Sequence, residues 1–97
     1  MVEFEDTPDK VVCRFSGKQD TVQCQEIAAT VQQRIAEAAK PVVFNLHGVD
    51  YVSSAFLRLC LQTAKSVGLD RFEVTDLSPT VKKVFKMAGF DQLLRGA

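Results

Sequence analysis

A strand pattern that leads into a helix opening on two serines is the feature that most constrains this chain. The segment covers residues 42–57, starts with Val-Val-Phe-Asn-Leu, and reaches Ser53 and Ser54 after a predicted short turn. A nearly continuous apolar run is typical of a strand buried on both faces in the middle of a sheet. The two hydroxyls then fall where helix N–H groups lack partners, a place suited to an oxyanion or a phosphate. The sequence therefore places the candidate functional site at this junction.

The remaining strand signals flank this segment. Residues 2–5 alternate apolar and acidic, and residues 11–15 are β-branched and aromatic, with turn residues between the two runs. They predict an antiparallel pair with the first strand at the edge, and residues 16–19 are expected to end the second. Residues 72–75 predict a short final strand.

Three helices are predicted between and after these strands. Asp20 is an N-cap candidate for a helix with Ile27, Val31 and Ile35 on one face, ending before Pro41. The second helix starts at Ser53 or Ser54, and the third at Ser78-Pro79, ending near Gly89. The buried stripes predicted for these two helices are Leu57, Cys60, Leu61 and Ala64, and Val81, Val84, Phe85 and Ala88. The result is an α/β fold, a small mixed β-sheet packed with α-helices in the order β-β-α-β-α-β-α.

Composition excludes several classes of protein. The chain has 97 residues, of which 46% are apolar and 25% charged, so one domain over residues 1–97 is expected. Twelve basic and twelve acidic residues give no electrostatic footprint for nucleic acid or an anionic membrane. No apolar run could span a bilayer and the N-terminus is acidic, so we expect a cytoplasmic protein. Three cysteines without metal-ligand spacing predict reduced thiols, and neither a metal nor a cofactor is predicted.

The pattern as a whole is similar to the STAS domain, found in bacterial anti-sigma-factor antagonists and in the cytoplasmic tails of sulfate transporters. The resemblance is carried by the strand, turn and helix start of residues 42–57, and by Leu77-Ser78-Pro79 with the apolar stripe and Gly89-Phe90 that follow. This chain departs from the usual Asp-Ser-Ser/Thr-Gly-Leu pattern at three positions, while Leu57 is retained. Ser53 replaces the aspartate, Ala55 the second Ser or Thr, and Phe56 the glycine.

The resemblance implies a regulatory binding module with no enzymatic activity. In this family an antagonist binds a serine kinase that also restrains a sigma factor, and the kinase phosphorylates the serine that opens the second helix. That serine corresponds to Ser54, with Ser53 as the alternative. The candidate partner-binding residues are Gly48, Asp50, Ser53, Ser54, Phe56, Arg58 and Gln62. The first strand, as a free edge, leaves homodimerisation open.

Other interpretations stay open from the sequence. Ser53 or Ser54 could serve only as an N-cap, and Phe56 could belong to the core. A constitutive scaffold or subunit, with or without a small anionic ligand at the second helix, would need no phosphorylation. His47, Asp50 and the two serines include the residue types of a hydrolase triad, but no nucleophile-elbow motif accompanies them, and His47 suits a turn at the strand end.

Overall fold

A computed structural model describes residues 2–94 as a four-stranded sheet with three α-helices and two short 3-10 helices. The strands are β1 (Val2–Asp6), β2 (Val11–Gln19), β3 (Val42–Val52) and β4 (Phe72–Thr75). The helices are α1 (Thr21–Ala38), α2 (Ser54–Val67) and α3 (Pro79–Met87), and the 3-10 helices cover Leu69–Arg71 and Asp91–Leu93. The predicted α/β class and element order are confirmed.

The four strands lie in the order in which the chain makes them, β1-β2-β3-β4. β1 is antiparallel to β2, whereas β2, β3 and β4 are parallel because helices connect them. β3 is therefore an interior strand and β1 an edge strand, as predicted. Pairing of β1 with a second copy of the chain stays a prediction.

β2 and β3 are longer than the sequence pattern indicated. The predicted end of β2 after Phe15 and the predicted turn before Ser53 are both wrong, since the two strands remain paired up to Gln19 and Val52. The register between the two strands shifts twice, between Arg14 and Ser16 and between Gly17 and Lys18, and each time β3 contains the extra residue. At Gly48 the strands approach so closely that an added Cβ would lie 3.2 Å from the Ser16 Cβ. His47 thus lies within a strand and not in a turn.

One face of the sheet forms the core. Alternate strand residues, among them Phe15, Phe44 and Val74, join a single apolar cluster. The buried apolar residues of α1, α2 and α3 belong to the same cluster, so the three helices cover this face. Asn45 points the other way and is only half-buried. The expectation that β3 is buried on both faces is therefore wrong at Asn45.

The helix starts follow the predicted capping residues. The Asp20 carboxylate accepts a hydrogen bond from the Gln23 N–H at 2.9 Å, and the Ser78 hydroxyl accepts one from the Val81 N–H at 3.2 Å. Both interactions satisfy first-turn N–H groups that a helix cannot satisfy internally. Within residues 2–94, no helix is both long and apolar enough to cross a membrane.

Candidate functional site

Ser53 is the N-cap of α2. Its backbone is extended, with φ −94° and ψ 170°, and its hydroxyl accepts a hydrogen bond from the Phe56 N–H at 3.3 Å. Its own N–H donates to the Gln19 carbonyl oxygen at 2.9 Å, which joins the start of α2 to the end of β2. Only 8% of the residue is exposed. Ser53 therefore has a structural role.

Ser54 differs from its neighbour in both exposure and hydrogen bonding. It is the first residue of α2 and is exposed, and its hydroxyl has no hydrogen-bond partner among residues 2–94. Since Ser53 already caps the helix, Ser54 is not needed for that role. Its hydroxyl is accessible at the positive end of the helix dipole.

Phe56 is a core residue, and its assignment to a partner-binding surface is a correction. The side chain is completely buried, with its ring centroid 5.1 Å from that of Phe15 in an edge-to-face contact and 6.2 Å from that of Phe44. A ring without accessible surface cannot contact a partner that binds the folded domain. The helix period explains the placement, because the buried stripe of α2 is rotated by about one residue from the predicted one. It comprises Phe56, Leu59, Cys60, Thr63 and Ala64.

Arg58 and Gln62 share the exposed side of α2 with Ser54. The spacing of four and eight residues from Ser54 brings the three side chains onto one helix face. Arg58 and Gln62 also line a cleft between α1 and α2. The remaining lining residues are Cys24, Gln25, Ala28, Ala55 and Leu59. The sequence analysis did not identify the α1 side of this cleft, because no local pattern indicates which helices pack together.

Asp50 and Gly48 are exposed, but both lie in β3 and not in a loop. Gly48 lines a separate groove with Arg14, Asn45 and His47, and none of its lining residues contributes to the cleft between the helices. The structure thus groups Ser54, Arg58 and Gln62 and leaves Gly48 apart from them. We refer to the exposed side chains of Ser54, Arg58 and Gln62 as the α2 face.

The hydrolase interpretation finds no support in the geometry. No hydrogen bond joins His47 or Asp50 to Ser53 or Ser54 within the part of the chain that the structure describes. A nucleophilic serine needs a base within hydrogen-bond reach and a third group that orients it. The Ser53 hydroxyl, moreover, is engaged as a helix cap.

The three cysteines are free and buried, as expected for reduced thiols. Desolvation raises the pKa of Cys60 well above its ordinary value and that of Cys13 to about 12. Burial also raises the pKa of Cys24, although a hydrogen bond with Ser53 opposes that shift. Thiols with raised pKa values stay protonated near neutral pH and are poor nucleophiles. We therefore assign them to packing.

The structure thus combines a mixed four-stranded sheet, covered on one face by helices, with an exposed serine at the start of the second helix. The sequence model of the STAS domain family matches residues 1–96. The chain belongs to the STAS domain family.

The chain is also similar to individual proteins of one functional type. It is 29% identical over 90 residues to "Putative anti-sigma factor antagonist BtrV" of Bordetella bronchiseptica, covering 87% of this chain and 78% of that protein. A crystal structure of an anti-sigma factor antagonist from Mycobacterium paratuberculosis superposes with a TM-score of 0.85 at 22% identity, over 98% of this chain and 82% of the other.

The anti-sigma factor antagonist SpoIIAA has a similar fold in two states. Its unphosphorylated form superposes with a TM-score of 0.82 at 24% identity, over 100% of this chain and 88% of SpoIIAA. The phosphorylated form from Bacillus superposes with a TM-score of 0.73 at 23% identity, over 100% of this chain and 91% of the other. The chain therefore has the STAS fold of anti-sigma-factor antagonists, which supports a general regulatory role.

Proposed function

We propose that this chain is an anti-sigma-factor antagonist that binds a serine-kinase partner and is switched by phosphorylation of Ser54. Residues 1–97 act as one STAS-like domain in the cytoplasm, without catalytic activity of their own. The partner binds the α2 face, and Asp50 and Gly48, exposed on β3 and apart from that face, are proposed as additional contacts. Ser53 contributes by holding the first turn of α2 in place and is not itself modified.

The proposal rests on one structural difference: Ser54 is exposed, whereas Ser53 is buried and caps α2. A kinase must reach a hydroxyl and accommodate it in its own active site, which requires exposure. Ser54 is exposed and its hydroxyl has no partner among the described residues, whereas Ser53 is buried and bonded to the Phe56 N–H. The similar fold of SpoIIAA in its unphosphorylated and phosphorylated forms supports the proposal.

The position of Ser54 allows a phosphate to change binding without unfolding the domain. A phosphoserine carries a charge of about −1.5 to −2 at neutral pH. At the start of α2, that charge meets the positive end of the helix dipole, so the folded domain tolerates it. At the centre of an interface the same charge has to be desolvated, and without a compensating cation on the partner the complex is weakened.

Mapping of the modified residue in the native cell tests this proposal. The chain is isolated from cells in different growth states, and the peptide that contains both serines is analysed by fragmentation mass spectrometry. We expect a phosphate on Ser54 in at least one state and none on Ser53. A chain that carries no phosphate on this peptide in any state, while its kinase partner is present, contradicts the switch and favours a constitutive scaffold.

A further inference from the structure

The charge on α2 is of one sign. The helix carries Arg58 and Lys65, both exposed, and no acidic residue. The chain as a whole has no net charge, because acidic residues outside α2, including four among the first nine residues, balance the basic ones. A partner that docks on the α2 face therefore meets positive charge.

Among residues 2–94, Arg58 also takes part in no ion pair. The ion pairs among residues 2–94 join Arg14 to Glu5 and Arg34 to Asp6, so the Arg58 guanidinium has no carboxylate partner in this part of the chain. Its side chain lies at the cleft between α1 and α2, whose lining includes Ala28 and Ala55. An exposed, unpaired guanidinium with five N–H donors beside a cleft is well suited to bind an anionic group.

We propose that Arg58 is the positioning residue of the Ser54 switch: it pairs with a carboxylate of the partner when Ser54 is unmodified and with the phosphate when Ser54 is phosphorylated. This inference rests on the proposed function and extends it. The partner then carries an acidic residue that contacts Arg58. Phosphorylation of Ser54 removes this attractive contact and adds a repulsive one.

The spacing between the two residues supports this exchange. Ser54 and Arg58 are four residues apart, which places them on adjacent turns of the same helix face. The pair has the favourable orientation, with the anion nearer the helix N-terminus and the cation one turn later. Among the carboxylates of the neighbouring elements, that of Asp20 accepts the Gln23 N–H as the cap of α1, and Asp50 lies in β3. The exposed Glu26 of α1 forms no ion pair among residues 2–94.

The test uses the full chain with phosphoserine installed at position 54 and follows the phosphate by phosphorus NMR during a pH titration. A nearby cation stabilises the dianion, so it lowers the phosphate pKa from its usual value of about 6. We expect Arg58→Gln to raise the phosphate pKa by about 0.3 units, as for a helical ion pair. Arg58→Lys should retain part of the effect.

The matched control is Lys65→Gln, which removes one exposed positive charge from the same helix at a distance of three turns. It should leave the phosphate pKa unchanged. Equal pKa values in the wild type and Arg58→Gln, or an equal shift in the Lys65→Gln control, would overturn the proposal. Because the phosphate is installed chemically, the titration answers this question even if mapping in the native cell finds Ser54 unmodified.

Discussion

The inner and outer sides of the first turns of α2 make opposite contributions to the protein. On the inner side, Phe56 and Cys60 are completely buried, and Phe56 joins an aromatic cluster with Phe15 and Phe44. On the outer side, Ser54 and Arg58 are exposed and contact no ionic partner among the described residues. The core residues of α2 and the residues of its proposed regulatory surface are thus separated by a rotation of about half a helix turn.

The separation of the two sides matters for the proposed phosphorylation switch at Ser54. Residues on the outer side can be modified or exchanged with little effect on stability, since exposed substitutions usually change the free energy of unfolding by less than about 0.5 kcal/mol. Residues on the inner side hold α2 against β2 and β3 and keep the outer side in a fixed position. The aromatic cluster therefore supports the α2 face without forming part of it.

The largest expected effect comes from the inner side. Phe56→Ala removes a fully buried ring and should lower the free energy of unfolding by about 3–5 kcal/mol, because the surrounding core cannot fully close the cavity. Urea unfolding followed by circular dichroism measures the change, with Arg58→Ala as the control on the outer side, expected to change it by less than about 0.5 kcal/mol. Similar losses for both substitutions would contradict the separation of the two sides.

The sequence predicted the fold better than the surface. The starts of α1 and α3 were predictable from Asp20 and Ser78-Pro79 because capping depends on residues three positions apart. The full length of β3 was not predictable, because it depends on pairing with β2 past register shifts that involve residues far away in the chain. The same limitation hid the cleft between α1 and α2.

The candidate site was predictable in part. Ser54, Arg58 and Gln62 were predicted as partner-binding residues, and their spacing of four residues on one helix face agrees with their exposure in the structure. The burial of Phe56 stayed open from the sequence, because the predicted stripe of α2 begins at Leu57 and the family usually has glycine at position 56. A large aromatic residue in place of glycine was itself the available signal, since aromatic residues contribute most to a core when they can be buried.

Smaller changes in stability should distinguish the two adjacent serines, Ser53 and Ser54. Ser53→Ala removes the hydroxyl that accepts the Phe56 N–H and should lower the free energy of unfolding by about 1 kcal/mol. Ser54→Ala leaves that cap intact and should change it by less than about 0.5 kcal/mol. Thermal and urea unfolding of both variants measure the difference. A greater loss for Ser54→Ala would mean that the roles of the two serines are reversed.

If charge at Ser54 controls partner binding as proposed, the affinity of the chain for its kinase partner depends on that charge. Isothermal titration would compare the wild type with Ser54→Ala, Ser54→Asp and Ser66→Asp, the last placing the same charge at an exposed serine in the last turn of α2. We predict that Ser54→Asp weakens binding at least about tenfold, a change of about 1.4 kcal/mol, while the other variants bind like the wild type. Equal affinity for all four proteins would mean that charge at Ser54 does not control partner binding.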